Sequence, residues 1–283
     1  MSFQYLITTD QFAETRKPDW VIVDCRFDLA NPDWGFQNYQ EGHLPGAIYA
    51  HLNHDLSGKV TAQTGRHPLP DPTLFAEKIT AWGIQADTQV VVYDTTGGAM
   101  AGRLWWMLRY FGLSQVALLD GGHPKWLHED RPIETGISTP SPAPFPFVPT
   151  LHPEMLASTS DVEKIRSDPA YLLVDARISQ RFSGETEPID PVAGHIPGAV
   201  NRFHAKNITP DGVFKPASRL RAEYEQLLKD IPTENVVVYC GSGVTSCHLV
   251  LAMEMIGLKG ARLYGGSWSE WIRDPARPIA VNA

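Results

Sequence analysis

The chain of 283 residues and 31.4 kDa carries a formal net charge of -8, with 43% apolar and 20% charged residues. That length suits two domains with sizeable cores. The acid excess argues against a nucleic-acid binder, and no run of residues approaches the ~20 apolar positions of a membrane span. Three cysteines, Cys25, Cys240 and Cys247, are too few for a disulfide framework. The first ten residues lack a basic head and a long apolar run, so no secretory signal is expected and the expected location is cytoplasmic.

Taken in order, the elements repeat. Val21–Arg26 is a buried-strand pattern, and Gly42-His43-Leu44-Pro45-Gly46-Ala47 is a turn block. Val90–Tyr93 is a continuous apolar strand, followed by a glycine turn, a helix over Ala101–Phe111, a stop at Gly112 and a strand over Val116–Leu119. Leu119-Asp120-Gly121-Gly122 closes this set. A stretch with seven prolines, Pro132 to Pro153, then reads as extended and semi-rigid. The same series returns as Leu172–Arg177, Gly194-His195-Ile196-Pro197-Gly198-Ala199, Val236–Tyr239, a helix over Thr245–Ile256 with a stop at Gly257, a strand over Ala261–Tyr264, and Gly265-Gly266. The offsets are 151, 152, 146 and 144 residues. A period this long means duplicated domains, not a short-repeat solenoid. We expect domain one over residues 1–135, a linker over 136–153 and domain two over 154–283. Each is an α/β domain with a mainly parallel central sheet flanked by helices.

The copies differ in chemistry at one turn. After the first apolar strand stands Asp94-Thr95-Thr96-Gly97-Gly98-Ala99; after the second stands Cys240-Gly241-Ser242-Gly243-Val244-Thr245. Open α/β sheets place ligands at the carboxyl ends of strands. Glycines there let successive N–H groups turn inward, and the next helix adds its positive end. Both favour thiolate over thiol, so Cys240 is the candidate nucleophile and the backbone of Gly241, Gly243, Val244 and Thr245 its cradle. The same donors suit a persulfide or the anionic transition state of sulfur transfer. Cys247, two helical turns on, reads as core packing, and Cys25 as structural. A phosphatase would need an arginine six positions after the cysteine to clamp phosphate; Ser246 stands there. His43 and His195, Asp24 and Asp175, and Arg177 occupy repeated or scaffold positions and read as structural. His51 and His54 have no third partner in the sequence for a metal, so neither metal nor cofactor is expected.

The whole chain resembles the two-domain rhodanese superfamily of sulfurtransferases, on both Gly-His-x-Pro-Gly-Ala blocks, the proline-rich stretch and Gly265-Gly266-Ser267-Trp268-Ser269-Glu270-Trp271. The resemblance implies tandem rhodanese-like domains, the first catalytically inactive, with Cys240 accepting sulfur as a persulfide. The Cys240–Thr245 loop is similar to that of 3-mercaptopyruvate sulfurtransferases. Thiosulfate-preferring rhodaneses typically carry two basic residues where this chain has Gly241 and Ser242. By that resemblance Ser242 relays protons and His67, in His67-Pro68-Leu69-Pro70, continues the relay. Its acid partner is open: a gapless count lands on Asn53, and Asp55 is the nearest carboxylate. Arg181 matches the family's substrate-carboxylate arginine, whose guanidinium donates two parallel hydrogen bonds. Mercaptopyruvate enzymes often carry a second arginine nine residues later, where this chain has Asp190. The expected reaction moves sulfur from 3-mercaptopyruvate through Cys240 to cyanide or to a thiol such as a small thiol or thioredoxin. The alternatives are a thiosulfate donor, or a persulfide carrier without turnover of small molecules.

Overall fold

The structure, a computed structural model, describes residues 2–281. It divides into two compact units that are not contiguous in sequence. The first holds Met1–Gly58, Leu69–His152 and Ile208–Phe214; the second holds Lys59–Pro68, Pro153–Asn207 and Lys215–Ala283.

The first unit has strands β1 (Leu6–Ile7), β2 (Val21–Asp24), β3 (Ile48–Tyr49), β4 (Val90–Tyr93) and β5 (Val116–Leu119). Its helices are α1 (Thr9–Thr15), α2 (Trp34–Glu41), α3 (Pro72–Ala81), α4 (Ala101–Tyr110) and α5 (Gly122–His128). The sheet order is β1-β5-β4-β2-β3, with every pairing parallel. The second unit has β6 (Leu156–Ala157), β7 (Leu172–Asp175), β8 (Val200–Asn201), β9 (Val236–Tyr239) and β10 (Arg262–Tyr264). Its helices are α6 (Thr159–Ile165), α7 (Ser179–Ser183), α8 (Ala217–Leu228), α9 (Cys247–Met255) and α10 (Ser267–Trp271). Its order, β6-β10-β9-β7-β8, repeats the first, again all parallel. The two parallel α/β sheets expected from the repeat are therefore both present.

Local sequence explains the elements. β4 and β9 both read Val-Val-Val-Tyr and are wholly buried, as strands covered on both faces must be. Thr8 and Ser158 start α1 and α6 with the same capping box, completed by Gln11 and Asp161. The first core gathers Ile7, Phe12, Ile22, Val91 and Trp126; the second gathers Val162, Val237, Tyr239, Trp268 and Trp271. Trp268 and Trp271 are thus core residues, their indole N–H groups donating to the Val192 and Pro278 carbonyls.

The proline-rich stretch up to His152 groups with the first unit. Its prolines keep it extended, and its remaining amides find acceptors. Ala143 N–H donates to the Thr80 carbonyl at 2.8 Å, and Thr150 N–H to the Phe111 carbonyl at 3.0 Å. No described helix is long and apolar enough to cross a membrane.

Scaffold pairs recur in both units. Arg26 grips Asp24 and donates to the Gly42 carbonyl at 2.7 Å; Arg177 grips Asp175 and donates to the Gly194 carbonyl at 2.7 Å. His43 and His195 each place Nδ1 2.7 Å from a backbone carbonyl, of Tyr39 and Phe182.

Candidate active site

Cys240 directly follows β9, and residues 241–246 form the turn that leads to α9. The helix starts at Cys247, two residues later than the expected Thr245, because the intervening residues wrap the sulfur. Ser246 Oγ donates to Cys240 Sγ at 3.4 Å. Burial pushes the Cys240 thiol up. The hydroxyls of Ser246 and Thr245 and the backbone N–H groups of Ser242 and Ser246 outweigh it, so the net shift is downward. Two of these donors come from Ser246, beyond the 241–245 run expected from the sequence. The reason is the left-handed turn at Gly243 (φ 75°), where a Cβ would collide with the Gly265 carbonyl.

The Cys240 peptide is also fixed. Its N–H donates to Ser267 Oγ at 3.1 Å, and that hydroxyl donates to the Tyr264 carbonyl at 2.9 Å. Ser267 adopts φ 56°, a left-handed conformation uncommon for a residue with a side chain, while its hydroxyl holds the Cys240 amide. Cys247 is fully buried, with Sγ 3.3 Å from the Gly243 carbonyl.

Residues 59–68 precede the second repeat in sequence but belong to the second unit. Arg66 N–H donates to Ser269 Oγ at 3.0 Å, and Arg273 Nε donates to the Thr64 carbonyl at 3.0 Å. This segment brings His67 Nδ1 to 2.7 Å from Ser242 Oγ, so the two share a hydrogen bond. Asp55 belongs to the first unit. There it accepts the His51 N–H at 2.7 Å and pairs with Lys78 Nζ at 2.7 Å, so both carboxylate oxygens are engaged within that unit.

Arg181, in the last turn of α7, is tied down by acids. Its Nε donates to Glu187 Oε1 at 2.9 Å, and its Nη2 to Asp190 Oδ2 at 2.9 Å. Asp190 also pairs with Arg66 Nη1. Gly241 makes room for both guanidiniums: a Cβ there would stand 2.9 Å from Arg66 Nη2 and 3.4 Å from Arg181 Nη2. Val244 is buried, and its carbonyl accepts the Cys247 N–H at 3.1 Å. Sequence reasoning missed Ser246, Ser267 and Arg66. Ser246 enters there only as the residue in place of a phosphatase arginine and Ser267 only within the Gly265–Trp271 block, whereas Arg66 stands as a cation beside His67. Among the described residues no group of three or more His, Cys, Asp or Glu has metal-binding geometry.

A comparison with known families matches the rhodanese-like domain twice, over residues 8–129 and 158–274. The chain belongs to the rhodanese family. A probable 3-mercaptopyruvate sulfurtransferase of Pseudomonas aeruginosa is 45% identical over 99% of both chains. A putative thiosulfate sulfurtransferase of Mycobacterium tuberculosis, SseB, is 40% identical over 91% of this chain and 89% of its own. The solved 3-mercaptopyruvate sulfurtransferase of Leishmania major superposes with a TM-score of 0.83 at 30% identity, covering 95% of this chain and 74% of that one. The rhodanese fold therefore accounts for both sheets, and Cys240 stands directly after β9 of the second one.

Proposed function

We propose that this rhodanese is a sulfurtransferase that takes sulfur from 3-mercaptopyruvate and passes it to a thiol or cyanide. The observation that carries the reading is the Cys240 thiol, lowered by its hydroxyl and amide donors, in the same turn as a Ser242–His67 pair at 2.7 Å. The 45% and 40% identical relatives support the reaction class. The Cys240 thiolate attacks the sulfur of the donor. A sulfur–sulfur bond forms, the donor's carbon–sulfur bond breaks, and its electron pair leaves with carbon as pyruvate enolate. Ser242, backed by His67, delivers a proton to that carbon, and Cys240 keeps the outer sulfur as a persulfide. An acceptor thiolate then attacks the outer sulfur and releases Cys240 as thiolate. Thioredoxin or a small thiol fits this step, in a cytoplasmic setting that keeps thiols reduced.

Thiosulfate is the second reading. The guanidiniums of Arg66 and Arg181 beside Gly241 favour it, since they supply positive charge that the loop itself lacks. The test is steady-state release of pyruvate from 3-mercaptopyruvate, set beside sulfite release from thiosulfate. Many equivalents of pyruvate per chain, with the higher kcat/KM, are expected. A single equivalent of pyruvate makes the protein a carrier, and a higher kcat/KM for thiosulfate makes thiosulfate the donor.

A further inference from the structure

The geometry points to Arg66 as a second carboxylate-binding group of the donor site, supplying the guanidinium that position 190 lacks. The inference rests on the sulfur-transfer reading and names the part of the donor that the site grips.

Asp190 sits between two guanidiniums, one oxygen on Arg66 Nη1 and the other on Arg181 Nη2. A carboxylate in that place holds two arginines in register where a third positive charge would repel them. Both guanidiniums reach over the backbone next to Cys240, into the space that Gly241 leaves without a Cβ. Arg66 is also incompletely used: its Nε is buried and has no hydrogen-bond partner. A buried guanidinium N–H without an acceptor is costly and therefore calls for an explanation. The segment carrying it is anchored at Thr64 and at the Arg66 amide, so this guanidinium is positioned, not floppy. The next residue, His67, bonds Ser242. Carboxylate binding and proton delivery thus reach the Cys240 turn from adjacent residues of one short segment. A planar carboxylate on the donor suits paired N–H donors of this kind.

The experiment compares wild type, R66Q and R66K on 3-mercaptopyruvate and on mercaptoacetone, which keeps the ketone and thiol but lacks the carboxylate. Loss of a charged hydrogen-bond donor predicts a KM for 3-mercaptopyruvate raised roughly 10- to 100-fold in R66Q, with kcat changed far less. The kcat/KM ratio between the two donors should fall by the same factor, and R66K should recover part of it. Equal losses on both donors would mean that Arg66 only holds its segment in place, and would overturn the inference. Inhibition by pyruvate, measured with whichever donor the wild type uses, separates the two possible failures. If the wild type ignores 3-mercaptopyruvate but R66Q still weakens pyruvate, the donor reading falls and the carboxylate site stands. If pyruvate inhibition is unchanged in R66Q, the inference falls.

Discussion

The turn after β4 and the turn after β9 share a backbone plan and differ in what they hold. In the first, Asp94 fills its own cradle. Its Oδ1 accepts from the Thr96 and Gly98 amides at 2.8 and 2.9 Å, and its Oδ2 from Met100 and Ala101 at 2.7 and 2.9 Å. In the second, a single sulfur takes the place of the two oxygens, and hydroxyls of Ser246 and Thr245 supplement the amides. Each cradle is also met by a segment from elsewhere in the chain. Ile208 packs where a Cβ on Gly97 would sit, and Asp120 accepts the Phe214 N–H at 2.8 Å. Beside Cys240 the corresponding neighbours are Arg66 and His67. One duplicated turn thus holds its own carboxylate in one unit and surrounds a thiol with donors in the other. The cysteines make the same point. Burial, then the carboxylates of Asp24, Asp94 and Asp55, push the Cys25 thiol well up, whereas the donors around Cys240 bring its thiol down.

The comparison breaks most decisively at Cys240. C240S should lower sulfur transfer at least ~1000-fold, because a neutral hydroxyl cannot replace the thiolate. C247S should keep most activity. Equal loss in both variants, read from pyruvate release, would dissolve the distinction between the two cysteines.

A smaller effect tests the filled cradle. D94A leaves four amides, those of Gly98 and Ala101 buried, without their carboxylate and should cost about 3 kcal/mol in urea unfolding. A loss under ~1 kcal/mol would show that water replaces Asp94 readily and that the cradle is not closed.

The smallest expected change sharpens the open cradle. Cys240 is held below its ordinary value by donors that oppose burial, so removing one leaves burial less opposed and raises the value. In S246A the pH inflection for alkylation of Cys240 by iodoacetamide should move up. An unmoved inflection would transfer the effect to Thr245 and the backbone amides.

Much of the fold was legible because the strong elements are local in sequence. Val-Val-Val-Tyr cannot avoid burial, and the Gly-His-x-Pro-Gly-Ala blocks turn the chain by their own backbone preferences. The short strands β1, β3, β6 and β8 were not legible. Each has two residues and exists only through its partner, as when Leu6 pairs with Leu118. The site divides the same way. Cys240, Gly243 and the turn around them could be read from adjacent residues, whereas Ser242 became a candidate only through the family resemblance.

The sequence by itself determined the duplication, the parallel sheets and the thiol in the turn after the second Val-Val-Val-Tyr strand. These follow from hydrophobic runs, turn residues and one substitution between copies. Only the tertiary structure decided that Ser246 and Ser267 hold Cys240, that His67 reaches Ser242, and that Asp190 joins Arg66 to Arg181. The links from residues 66 and 67 span more than a hundred residues of chain, and no local propensity encodes such a pairing. Packing of residues 59–68 into the second unit creates it.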